Sequence, residues 1–213
     1  MRTLSRVMGA CALGIGFWVI ALQNAAASDR AILIFGDSLS AAYGLSPEQG
    51  WVALLDKRLR AQGYGYEVVN ASISGETTSG GLQRLPRALE LHKPQIVVLE
   101  LGANDALRGL PLAQTKDNLD RMLQLVKREG ARILLVGMRI PPNYGPRYGA
   151  EFERMYTDLA ASYHLVLVPF LLESVALDSA RMQADGMHPN ARGEPAVLDT
   201  LWPKLEPLLK KNH

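Results

Sequence analysis

Cysteine is almost absent from this chain: Cys11 stands alone among 213 residues. One thiol excludes an internal disulfide framework and a thiolate metal site. Histidine is scarce as well, at four residues, with no His-Glu-x-x-His pattern and no His/Asp cluster, so neither a metal nor any other cofactor is expected. A phosphate-binding loop is also missing. Gly75 to Gly80 has the right span, but Gly81 stands where such a loop needs lysine.

Long hydrophobic runs are confined to the start. Val7 to Leu22 is a nearly uncharged stretch of 16 residues, preceded by Arg2 and Arg6 and followed by Gln23-Asn24-Ala25-Ala26-Ala27. A spanning helix needs about 20 apolar residues. The pattern therefore predicts a signal peptide over residues 1–27, cleaved after Ala27, and a periplasmic or secreted mature protein with no stable membrane insertion. Cys11 leaves with that leader, as do two of the 23 basic residues and none of the acidic ones. The remaining balance of 21 basic against 21 acidic residues excludes a nucleic-acid or anionic-membrane patch as an expectation. Residues 28–213 contain no repeat, low-complexity tract or linker, which predicts a single domain, read as a monomer.

What is present is a regular alternation. Strand-length, β-branched apolar runs recur at 31–35, 66–70, 95–101, 132–138 and 165–170, separated by stretches of helical spacing. That alternation predicts an α/β fold, a parallel sheet covered by helices on both faces. Helices are expected from Ser46 (as cap) to Gly63, over 79–92 with a kink or late start from Pro86, over 115–129, over 148–163, and over 193–211 with possible breaks at Pro203 and Pro207. Loops at 72–81, 102–114, 139–149 and 180–192 leave carboxyl ends of strands, where such sheets present ligand sites.

The first run ends in Gly36-Asp37-Ser38-Leu39-Ser40, which places Ser38 at the mouth of the sheet. A serine hydroxyl is a weak nucleophile until a base takes its proton. His92, His164 and His213 read as capping or surface residues. His188 lies in Asp185-Gly186-Met187-His188-Pro189, where the acid three residues upstream can reach Nδ1 and leave Nε2 free as a general base. Gly75 offers a backbone N–H unscreened by a side chain, and Asn104 a side-chain amide, as donors to a developing oxyanion. Either alone is more commonly a turn residue. The Gly-x-Ser-x-Gly elbow is not met, because Ser40 occupies the second glycine's position.

Four segments in order, Gly36-Asp37-Ser38-Leu39, Gly75 after Asn70, Gly102-Ala103-Asn104-Asp105, and Asp185 to His188, resemble the blocks of the SGNH, or GDSL, hydrolases. The resemblance covers essentially the whole mature chain. It implies a flavodoxin-like three-layer sandwich with a five-stranded parallel sheet. It also implies a catalytic set of Ser38, Asp185 and His188, and an oxyanion hole formed by Ser38, Gly75 and Asn104. Met187 departs from the residue often found there in the family, but remains apolar.

The implied activity is two-step acyl transfer to water from a small-molecule fatty acyl ester or thioester, with arylesterase, lysophospholipase and acyl-CoA thioesterase activities. Leu107, Leu110, Pro141, Pro142 and Tyr144 are candidates to line an acyl groove, or simply loop hydrophobes packed on the core. Two alternatives stand beside this reading: a carbohydrate O-acetylesterase on the same scaffold, and a non-catalytic lipid-binding protein.

Overall fold

A computed structural model describes residues 30–211. The leader, Cys11, the Ala27 cleavage site and His213 lie outside the described residues. Five parallel strands, β1 (Ala31–Gly36), β2 (Glu67–Asn70), β3 (Ile96–Glu100), β4 (Arg132–Val136) and β5 (Val166–Val168), form one sheet in the order β2-β1-β3-β4-β5. β1 and β3 are buried along their whole length, which is why Ala31 to Phe35 and Ile96 to Leu99 read as apolar runs. Edge strand β2 is half-exposed.

Six α-helices among the described residues complete the layers: α1 (Trp51–Ala61), α2 (Thr78–His92), α3 (Ala103–Leu107), α4 (Leu112–Arg128), α5 (Pro146–Tyr163) and α6 (Glu194–Leu205). The chain moves outward from β1 to β2, then returns past β1 to β3 and continues in one direction. With right-handed crossovers this reversal sends helices to opposite faces. α1 packs with α6 on one face, while α2, α4 and α5 pack together on the other. Ile34, Phe35, Val98, Leu99 and Leu135 form the centre of one continuous buried core between them.

β1 extends one residue beyond its expected run, to Gly36, while β2 to β5 are shorter than the runs 66–70, 95–101, 132–138 and 165–170, because pairing stops where the chain turns into loops. Pro86 neither kinks α2 into two helices nor delays it: the helix runs unbroken from Thr78, with the Thr77 hydroxyl accepting from Gly80 N–H at 3.3 Å. Pro86 lies at an exposed position of the helix. The expected first helix is divided into a 3-10 turn at Pro47–Gln49 and α1. The last one stops being α-helical at Leu205 and continues as a 3-10 turn over Glu206–Leu208, at Pro207 and not at Pro203. The loop expected at 102–114 contains α3 and the first turn of α4.

In doubly wound sheets ligands bind where strand order reverses. Here that point lies between the carboxyl ends of β1 and β3, at Gly36 and Glu100, which are paired in register. Ser38 follows one end and Asn104 the other.

Candidate active site

Ser38 sits in the turn immediately beyond β1, partly exposed. Its Oγ is 2.8 Å from His188 Nε2. His188 Nδ1 is in turn 2.7 Å from Asp185 Oδ2. The three side chains form one continuous relay across 150 residues of sequence.

The acid and the base share a tight hairpin. An antiparallel bridge joins Met182 to Pro189, Gln183 N–H donates to the His188 carbonyl at 2.8 Å, and Gly186 N–H donates to the Gln183 carbonyl at 3.0 Å. Asp185 Oδ1 also accepts the N–H groups of Met187 and His188, at 2.9 and 3.1 Å. Burial alone would raise the Asp185 carboxyl, but the Met187 and His188 hydrogen bonds outweigh it and hold the group below its usual range. A carboxylate kept ionised beside Nδ1 is suited to accept a hydrogen bond from Nδ1–H and to stabilise an imidazolium without taking its proton. The Tyr43 ring lies against the imidazole with centroids 4.6 Å apart and the planes tilted by 39°.

Two further loops converge on the Ser38 turn. The segment after β2 is tied to the end of β1, with Ile73 N–H donating to the Gly36 carbonyl at 3.1 Å and Gly36 N–H to Ser72 Oγ at 3.1 Å. Gly75 then adopts φ +78°, a left-handed conformation that a side chain would strain. Its carbonyl accepts Arg108 Nη2 at 2.8 Å, which fixes the orientation of the loop. From the β3 side, Asn104 Nδ2 donates to Asp37 Oδ2 at 2.9 Å. One of its two amide hydrogens is thereby committed, and the other remains for a ligand. Asn104 is thus anchored to the residue before Ser38, and the segment leading to Gly75 is anchored at Gly36.

Asp105 holds the two loops in register. Its carboxylate accepts Thr78 N–H at 2.8 Å and Thr78 Oγ at 2.6 Å, and Asn118 Nδ2 donates to Thr78 Oγ at 3.0 Å. Asp37 is buried, and burial raises its carboxyl to about 6 against the opposing effects of Leu39 N–H, His188 and Asn104. Among the described residues, no group of three or more His, Cys, Asp or Glu stands together as a metal cage.

The candidate groove residues split between the two loops. Leu107 is half-buried on α3, whereas Leu110, Pro141, Pro142 and Tyr144 are exposed. Tyr144 Oη donates to the Leu107 carbonyl at 2.9 Å and Tyr148 Oη to the Leu110 carbonyl at 3.1 Å, stitching the two loops into one rim. A concavity of about 260 Å³ lined by Ser40, Ala42, Val52 and Asn70 opens beside the Ser38 turn and includes no member of the relay.

Sequence reading alone missed Asp37, Tyr43, Glu100, Asp105 and Arg108. The detectable signal was Glu100, a charged residue closing the apolar run Ile96 to Leu99.

Residues 34–195 match the sequence profile of the GDSL-like Lipase/Acylhydrolase family. The chain is 53% identical over 191 residues to Esterase TesA of Pseudomonas aeruginosa, covering 90% of this chain and 94% of that one. It is 44% identical over 197 residues to Thioesterase 1/protease 1/lysophospholipase L1 of Escherichia coli, covering 92% of each. A solved crystal structure of TesA superposes with a TM-score of 0.83 at 54% identity, covering 84% of this chain and all of the other. No helix among the described residues is long and apolar enough to cross a membrane.

Proposed function

Since the chain belongs to the GDSL-like lipase/acylhydrolase family and is a hydrolase of carboxylic esters and thioesters, we propose that Ser38 is its nucleophile, His188 its general base and Asp185 the group that orients His188. The N–H groups of Ser38 and Gly75, with the Asn104 carboxamide, receive the oxyanion. The observation that carries this reading is the unbroken relay from Ser38 Oγ through His188 to Asp185 at the strand-order reversal.

Ser38 Oγ attacks the acyl carbonyl as its proton passes to His188 Nε2, and Asp185 stabilises the imidazolium. The carbonyl oxygen becomes an alkoxide facing the three donors. Collapse of the tetrahedral species expels the alcohol or thiol, which takes the proton from His188. Water then enters, gives its proton to the same nitrogen and attacks the acyl-serine, releasing the carboxylic acid and restoring Ser38.

Fatty acyl esters, including lysophospholipids, and acyl thioesters are the proposed substrate class. The names of the relatives and the apolar residues on the rim, Leu110 and Tyr144, support this choice. The mature protein is proposed to act outside the cytoplasm after removal of residues 1–27, as Arg2, Arg6 and the apolar run that follows suggest. Cytoplasmic acyl-CoA is then out of reach, which makes an ester the physiological substrate.

An alkylphosphonate ester should label Ser38 covalently and inactivate the enzyme, with one adduct per chain by mass spectrometry and none on Ser38→Ala. Labelling of another residue with equal inactivation would overturn the assignment. A panel of acyl lengths and head groups on the mature protein tests the substrate class. Rates that are highest for acetyl esters and gain nothing from longer chains would move the reading to an O-acetylesterase.

A further inference from the structure

Glu100 is a carboxylic acid where a central strand would ordinarily place an aliphatic side chain. It closes β3, is fully buried, and pairs in register with Gly36. Its Oε2 accepts the Asp37 N–H at 3.2 Å and the Ser40 hydroxyl at 2.8 Å. Its Oε1 is buried with no hydrogen-bond partner among the described residues. A Cβ added to Gly36 would collide with Oε2 and crowd Ser40 Oγ. The glycine that precedes Asp37 and Ser38 is therefore the space in which the Glu100 carboxyl lies.

Asp37 carries the contact onward. Its Oδ1 accepts Leu39 N–H at 3.1 Å and its Oδ2 accepts Asn104 Nδ2 at 2.9 Å. Glu100 thus touches both ends of the turn that holds Ser38, and through Asp37 it reaches the carboxamide assigned to the oxyanion.

We propose that Glu100 is a positioning residue of the active site, fixing the Asp37–Ser40 turn and, through Asp37, the carboxamide of Asn104. This rests on the roles of Ser38 and Asn104 proposed above. Glu100 acts as an uncharged acid. No Lys or Arg pairs with it among the described residues, and burial together with the neighbouring Asp37 pushes its carboxyl well above the usual range. In the neutral form Oε2 is a carbonyl oxygen whose two lone pairs meet the two donors observed, and Oε1 carries the proton.

Three variants, Glu100→Gln, Glu100→Ala and Glu100→Leu, test this beside Ser38→Ala. Steady-state kinetics on a p-nitrophenyl ester and the rate of Ser38 phosphonylation are measured on protein shown to be folded by its thermal transition. Glutamine keeps a neutral carbonyl acceptor, so kcat should stay within about threefold of the native enzyme. Alanine and leucine remove the acceptor. Each should lower kcat by about 100-fold, the scale of a small misplacement of reacting groups, with KM changed by less than about threefold and phosphonylation slowed in proportion.

Glu100→Leu fills the space without a polar atom and serves where the alanine variant does not fold. A folded Glu100→Leu or Glu100→Ala enzyme with native kcat overturns the proposal, as does Glu100→Gln falling to their level, which would mean that a charge is needed. A Ser38→Ala enzyme that still turns over overturns the nucleophile assignment itself; an inactive Ser38→Ala beside a fully active Glu100→Leu overturns this inference alone.

Discussion

Ser38 Oγ lies 2.8 Å from His188 Nε2 in the resting enzyme, already at hydrogen-bond distance for proton transfer. Because the two act as a unit, losing either should cost about as much as losing both. Ser38→Ala and His188→Ala are each expected to lower kcat by at least about 10⁴-fold, and the double variant to add almost nothing. Additive losses, measured by kcat on an aryl ester, would contradict a shared role.

Asn104 is held by Asp37 at 2.9 Å, which commits one amide hydrogen and aims the other. Asn104→Ala should lower kcat by about 10² to 10³-fold with little change in KM, the scale of one lost oxyanion donor. Asn104→Asp should be no better, since a carboxylate there would repel both the oxyanion and Asp37. Native kcat in Asn104→Ala would show that the carboxamide gives nothing to the oxyanion.

The difference between what the residues disclosed in order and what they do in space follows from range. β1 and β3 were legible because both faces of a central strand are buried, so Ala31 to Phe35 and Ile96 to Leu99 are apolar without interruption. Asp185 and His188 were legible as a pair because one hairpin holds both. Helix α3 was not, since Ala103–Leu107 is too short to show a period. The supporting roles of Asp105 and Arg108 depend on partners 27 and 33 residues away on other elements. The site's donors were thus readable one at a time, while the bonds that orient them exist only in the packed fold. Pro86 and Pro203 misled for a related reason: both sit at exposed positions of helices that continue through them, and exposure is not written in local sequence.

Glu194 links the first and last helices on one face, accepting Trp51 N–H at 2.7 Å at the start of α1. Burial raises its carboxyl to about 7, against the lowering effect of that hydrogen bond. Between about 4.5 and about 7 the native state therefore holds a proton that the unfolded chain has released, and stability falls as pH rises through that window. Glu194→Gln keeps an acceptor for Trp51 without the charge. Its stability relative to the native protein should rise with pH across the window, by at most about 3 kcal/mol at 1.36 kcal/mol per pH unit. Urea unfolding at pH 5 and pH 8 checks this, and an unchanged difference between the two pH values would refute it. The raised Asp37 adds a similar slope in both proteins and cancels in the comparison.

Leu110 stands on the rim next to the loop that carries Tyr144, 38% exposed and free to cover an apolar ligand. Burying one methylene is worth about 0.8 kcal/mol, roughly a factor of four in binding. If the acyl chain runs over this rim, Leu110→Ala should lower kcat/KM for octanoyl esters by about fourfold to tenfold while leaving acetyl esters nearly unchanged. The reaction at Ser38 is common to both substrates, so the ratio of the two rates isolates the chain contact from any disturbance of the relay. An equal fall for both lengths would place the effect in the Asn104–Leu110 segment itself, and the acyl chain would have to leave the site by another route.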